Sequence, residues 1–250
     1  MTYVEGFIVA VPTANKELYR KHASNAWPMF AEFGMQRLVE GWGDEVPDGK
    51  VTDFKGAVQA KPAETVLFSW CEYPTREVRD EAGQKMRSDP RMEEMGEMHF
   101  DGMRMVFGGF APILDEGPGG KMGYADGYVL AVPTANKEAY RAMATKASAV
   151  FRDYGATRVM EAWGDDVPDG KVTDFRRAVK AKDGETVVFS WVEWPSKKAR
   201  DEAWPKLMAD ERMKYEPENT PFDGKRMIYG TFTPIVDEAA DRKTSRRDVA

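Results

Sequence analysis

Carboxylates spaced alternately with indole rings are the residues of this chain best placed to do chemistry. Glu40, Trp42 and Asp44 stand at every second position, so a strand would put all three on one face. Trp70 and Glu72 share a face in the same way. The second half of the chain repeats the set as Glu161, Trp163, Asp165, Trp191 and Glu193. A carboxylate crowded by indole loses water, its pKa rises, and it becomes fit for general acid or base work. The catalytic candidates are therefore Glu40, Glu72, Glu161 and Glu193. Trp42, Trp70, Asp44, Trp163, Trp191 and Asp165, with Arg37 and Arg158, are the candidate ligand-binding residues. The plainer alternative has the indoles filling a core and the glutamates paired with Arg37 or Arg158.

Other chemistries are poorly equipped. One cysteine, Cys71, excludes an intrachain disulfide and any cysteine-clustered metal site. It reads as a small apolar strand residue. The histidines are His22 and His99, and the second half has none, so a histidine device could exist in one half only. The acidic loop Asp44–Asp53 fails as a calcium loop, because Val46 and Lys55 stand where ligands are needed. It reads as a Pro-Asp-Gly turn, with Lys50, Asp53, Lys171 and Asp174 at a pocket mouth or seam. Arg104 and Arg226 are placed for an anion or, more simply, for an ion pair. No metal and no cofactor are expected.

These residues recur because the chain is one unit written twice. An offset of 121 residues carries Tyr3–Tyr19 (YVEGFIVAVPTANKELY) onto Tyr124–Tyr140 (YADGYVLAVPTANKEAY), and Trp42–Phe54 onto Trp163–Phe175. Near the end of each unit the offset becomes 122, matching Phe110-Ala111-Pro112 to Phe232-Thr233-Pro234. Residues 1–116 form the first unit, 117–123 a Gly/Pro linker, 124–238 the second unit, and 239–250 a charged tail expected to fray.

Each unit reads β-α-β-(β)-β-α-β. Tyr3–Val11 is a strand. Tyr19, Ala23, Ala26 and Phe30 form an apolar helical stripe, with Thr13 or Asn15 as its cap and Gly34 or Gly155 at its left-handed end. Phe54–Ala60 and Thr65–Tyr73 are expected to form a hairpin. Thr75 and Ser196 cap a second helix. Pro28 and Pro205 interrupt one helix in each unit, at non-equivalent places. The arrangement is the ferredoxin-like split βαβ. Its sheet is apolar on both faces and needs a second layer, which the other copy can supply. The expected architecture is α+β: tandem ferredoxin-like units forming a pseudo-twofold α/β barrel within one chain.

The motifs VPDGKVTDF, VVFSW and FDGKRMIYG resemble the YbaA-like family of unknown function, within the dimeric α/β-barrel superfamily. The resemblance covers nearly all of each unit and implies the barrel fold. That superfamily includes cofactor-independent monooxygenases, haem enzymes and small-molecule binders, so no single activity is implied.

The composition, with 42% hydrophobic and 31% charged residues, is that of a soluble globular protein. No apolar run is long enough to span a membrane, and the N-terminus lacks the pattern of a signal peptide, so a cytoplasmic location is expected. A net charge of −6 without a basic stripe argues against nucleic-acid binding. The expected partner is a small apolar or aromatic ligand, with further homo-oligomerisation open. The competing function is a non-catalytic assembly protein with a filled core and no ligand site.

Overall fold

A computed structural model of the 250-residue chain describes residues 2–119, 122–214 and 220–240. The first unit comprises β1 (Tyr3–Pro12), α1 (Lys16–Glu32), β2 (Arg37–Gly43), α2 (Phe54–Ala57), β3 (Glu64–Tyr73), α3 (Arg76–Ser88), α4 (Arg91–Glu94) and β4 (Val106–Glu116). The second comprises β5 (Tyr124–Pro133), α5 (Lys137–Asp153), β6 (Arg158–Asp166), α6 (Phe175–Ala178), β7 (Glu185–Trp194), α7 (Lys197–Ala209) and β8 (Ile228–Ala239). The final ten residues of the expected tail lie outside the described residues.

Local signals account for most of these boundaries. The Thr75 and Ser196 hydroxyls accept from the backbone N–H groups of Val78 and Ala199, capping α3 and α7. Gly34 and Gly155 adopt φ of +102° and +101°, the left-handed geometry that ends α1 and α5. Neither Thr13 nor Asn15 caps α1 through its side chain. A short 3₁₀ turn leads into the helix instead, and the Asn15 amide donates to the His99 carbonyl. Pro28 and Pro205 lie inside α1 and α7, which run on past them.

One element differs in type from the sequence reading. Phe54–Ala57 is a helical turn rather than the first strand of a hairpin. The cause is Asp53, whose carboxylate accepts from the Gly56 N–H at 2.6 Å and so nucleates helix. Asp174 does the same for α6 through Arg177.

Among the described residues, eight strands close into a barrel in the order β1-β3-β2-β8-β5-β7-β6-β4. Every neighbouring pair is antiparallel. Each unit contributes four strands, and the free edges β2 and β4 are closed by β8 and β6 of the other unit. This is the expected pseudo-twofold barrel. It follows from the apolar patterning of both sheet faces: one face takes the helices, and the other can only be covered by its copy.

The barrel interior is filled with aromatic rings. Phe68 stacks on Phe189 at a centroid distance of 4.3 Å, and Trp70 on Trp191 at 4.4 Å. Phe54 and Phe175, from α2 and α6, join the same buried cluster and close one end. The rings lie so close to the opposite wall that Gly6 and Gly127 are required there. A Cβ on Gly6 would stand 2.8 Å from Phe189, and one on Gly127 2.9 Å from Phe68. The loops preceding α2 and α6 cross the seam, where the Thr52 and Thr173 hydroxyls donate to the carbonyls of Ala178 and Ala57.

No helix among the described residues is long and apolar enough to cross a membrane.

Candidate functional site

The alternation of β2 and β3 divides the candidate residues between two sides of the sheet. Arg37 on β2 and Trp70 and Glu72 on β3 face the barrel interior. Glu40 and Trp42 face outward, beneath α1. Glu40 and Trp42 therefore form one group, and Trp70 and Glu72 another, on opposite faces of the sheet. The period-2 pattern does place Glu40 with Trp42, and Trp70 with Glu72, each on a common face.

The interior group is a closed ring of charges at the end of the barrel away from α2 and α6. Arg37 donates twice to Glu193, at 2.7 and 3.1 Å, and Arg158 twice to Glu72, at 2.8 and 3.0 Å. The diagonal contacts, Arg37 to Glu72 and Arg158 to Glu193, are each 3.5 Å. Asp237 and Asp115 hold the outer sides of the two guanidinium groups. The indole N–H groups of Trp70 and Trp191 donate to Glu72 and Glu193. Burial works against the charge on both arginines, but the surrounding carboxylates outweigh it and raise their pKa values. Every charge here is matched by a forked partner. Trp70 and Trp191 are fully buried against each other. This group joins the two units, its two indole rings stacked on each other at 4.4 Å.

The outward group is different in kind. The Glu40 carboxylate accepts from the Tyr19 hydroxyl on α1 at 2.9 Å and from the Ser69 hydroxyl on β3. Glu161 accepts from Tyr140 on α5 at 2.6 Å and from Ser190 on β7. Among the described residues, neither glutamate has an ion-pair partner. Burial dominates, and although the two hydroxyls favour the charged form, the pKa of each is pushed up to about 7. Trp42 packs with Val9, Val11, Tyr19 and Leu67 on this face, and the Lys16 ammonium lies 5.2 Å from its ring centroid. Trp163 and Lys137 repeat the arrangement at 5.3 Å.

Asp44 and Asp165 belong to neither group. They lie at the ends of β2 and β6, where they seal the seam between units. Asp44 accepts from the Tyr124 hydroxyl at 2.6 Å and pairs with Lys197 at 3.1 Å. The Tyr124 hydrogen bond, aided by Lys197, lowers its pKa. Asp165 accepts from Tyr3 at 3.0 Å and from Arg76 at 2.8 Å. Arg104 and Arg226 are occupied by forked pairs with Glu64 and Glu185. His22 and His99 meet edge to face at 6.0 Å, and burial with the neighbouring His99 lowers the His22 pKa. Cys71 is buried, as its strand position implies.

Sequence reasoning missed Tyr19, Ser69, Tyr140 and Ser190. A signal for them exists. Ser69 lies one residue from Trp70 and so faces away from it, toward the helix, and Tyr19 leads the helical stripe that covers that face.

A groove of about 600 Å³ lies on the outer side of the second unit, and Glu161, Tyr140 and Ser190 are not part of its lining. It lies between α5, which supplies Glu138, Arg141, Ala142, Thr145 and Lys146, and Ile113–Glu116 of β4. Leu114 on its wall is paired in register with Glu161 of the adjacent strand.

Comparison with known proteins agrees with this division into units. The family model described as a protein of unknown function, DUF1428, matches residues 2–102 and again 123–224. The chain belongs to this family. The uncharacterized protein YbaA of Escherichia coli K12 is 61% identical over 117 residues, covering 47% of this chain and all of that protein. The family unit thus appears there once and here twice. Among solved structures, a putative monooxygenase from Lactobacillus acidophilus matches with a TM-score of 0.56 at 11% identity, covering 95% of this chain and 96% of that one. One from Fusobacterium nucleatum matches with a TM-score of 0.56 at 7% identity, covering 95% and 94%. At such identities the likeness is one of fold.

Proposed function

We propose that this protein binds a small apolar or aromatic molecule between helix and sheet, and that Glu161, with Glu40 as its counterpart, exchanges a proton with it. The observation that carries the reading is the state of these two glutamates. Glu40 is buried and Glu161 half-buried, each is held by two hydroxyls with no cation among the described residues, and the pKa of each is pushed up to about 7. A carboxyl group in that condition gives or takes a proton readily at neutral pH. A groove between α5 and β4 lies on the outer side of the second unit, and its wall residue Leu114 is the strand neighbour of Glu161. The chemistry would be proton abstraction from, or return to, an acidic C–H or O–H group, carried by protein residues alone. The monooxygenase description of proteins sharing the fold is compatible with such a step as the opening of an oxygenation.

The filled interior favours a second reading, in which the barrel serves only to hold the two units together. Native mass spectrometry of protein isolated from its own source separates the two. Retention of a small molecule that is lost in the Glu40→Gln/Glu161→Gln double variant supports the first reading. Retention unaffected by the double variant, or no retained molecule at all, favours the second.

A further inference from the structure

The two histidines of the chain stand far apart in sequence, yet the fold brings them together. His22 lies on α1 and His99 in the segment before β4. Their rings meet at a centroid distance of 6.0 Å, with 79° between the planes. Both residues are half-exposed. Among the described residues neither imidazole has a hydrogen bond or an ion pair, so the ring nitrogens are free for another partner. Burial and the neighbouring His99 lower the His22 pKa, which keeps that ring in the neutral, metal-binding form at neutral pH.

The second unit shows that packing does not require this pair. There the same two segments meet in the same way. Tyr140 and Phe222 repeat the ring contact of Tyr19 and Phe100, each at 5.8 Å. The Asn136 amide donates to the Pro221 carbonyl as the Asn15 amide does to that of His99. Met143 and Pro221 occupy the places of His22 and His99, at the offsets of 121 and 122. One unit builds the junction without imidazole, and the other places two imidazoles side by side in it.

We infer that His22 and His99 together hold a divalent cation of the zinc, copper or nickel class, at one site per chain. Imidazole nitrogen is a favoured ligand of these ions. An ion about 2.1 Å from one nitrogen of each ring sets the two centroids about 5–6 Å apart, and the backbone already holds them near that spacing. No third histidine, cysteine or carboxylate completes the group among the described residues. The remaining coordination positions therefore fall to water or an incoming ligand, as in open zinc sites. This site does not depend on the acid–base reading of Glu40 and Glu161.

Two ligands supply about half the binding of a four-ligand zinc site, a dissociation constant on the order of 1–100 µM. The test is calorimetry of the tag-free full chain with Zn²⁺ alone, beside NMR of its imidazole signals, which come from these two residues only. The expected result is one Zn²⁺ per chain in that range, with the signals of both rings shifting together and saturating at one equivalent. His22→Met, which installs the second unit's own residue, and His99→Gln should each weaken binding about tenfold or more while the melting transition is retained. If His99→Gln does not fold, His22→Met and the wild-type NMR titration decide. No zinc bound in that range, a shift of one ring alone, or an unchanged affinity in His22→Met, the mark of an adventitious carboxylate site, overturns the inference.

Discussion

Replacing Glu40 and Glu161 by glutamine should make the protein more stable at alkaline pH than the wild type, and the size of the effect follows from their surroundings. An unfolded glutamate ionises near its ordinary value of 4.5, whereas each of these two holds its proton to about 7 in the folded protein. Between those values the folded state binds more protons than the unfolded state, so stability falls as pH rises. The contribution is intact below pH 4.5 and is lost by the time pH has passed 7. The gap corresponds to about 3 kcal/mol per site. Glutamine fills nearly the same space, accepts from the same hydroxyls and does not ionise. Urea unfolding of wild type, the two single variants and the double variant from pH 4.5 to 8 measures this directly. The stability difference between double variant and wild type should move in favour of the variant by about 6 kcal/mol across that range, with each single variant giving about half. Subtracting the wild-type curve removes every other titrating group, including Glu5 and Asp126, whose pKa values burial also raises. A difference that stays constant with pH, or that moves in favour of the wild type, would refute the reasoning and, with it, the premise of the proposed function.

Two further outcomes test the barrel. Arg37→Met leaves Glu193 buried with the Trp191 indole N–H and a single cation contact, 3.5 Å to Arg158, and should cost about 3–5 kcal/mol in urea unfolding. The Arg37→Met/Glu193→Met double variant should recover much of that loss. Gly127→Ala brings a Cβ to 2.9 Å from both Phe68 and Phe232, and should lower stability by about 1–3 kcal/mol.

The architecture was more legible in the sequence than the site. Repetition at a constant offset, apolar patterning on both faces of the strands and the caps at Thr75 and Ser196 lead to the closed barrel without reference to coordinates. Alternation puts Trp70 beside Glu72 and Glu40 beside Trp42. It does not say which face of which strand turns inward, because both faces are apolar. That ambiguity leaves open whether the two pairs meet or stand on opposite sides of the sheet. The pairing of Arg37 with Glu193 depends on the closure of one unit upon the other, and no spacing within a unit encodes it. The α2 turn was misread because Phe54–Ala60 is short and apolar, and four residues cannot display a helical period. Asp53 three residues before Gly56 was the better signal.

The exchange of strand edges between units, β2 with β8 and β4 with β6, has an evolutionary consequence. Two separate copies must find each other from solution, and any mutation that weakens the seam lowers the fraction paired. When the copies share one chain, the partner is always present at an effective concentration on the order of millimolar. Identical partners also have to remain identical, since a change in one gene alters both sides of the axis. Fusion removes that constraint. The seam already shows it: the Thr231 hydroxyl bonds Tyr124 in one unit, whereas Gly109 makes room for the Tyr3 hydroxyl at the matching place in the other. Tandem duplication thereby turns a symmetric homodimer into a heterodimer of fixed composition, in which each half is free to specialise.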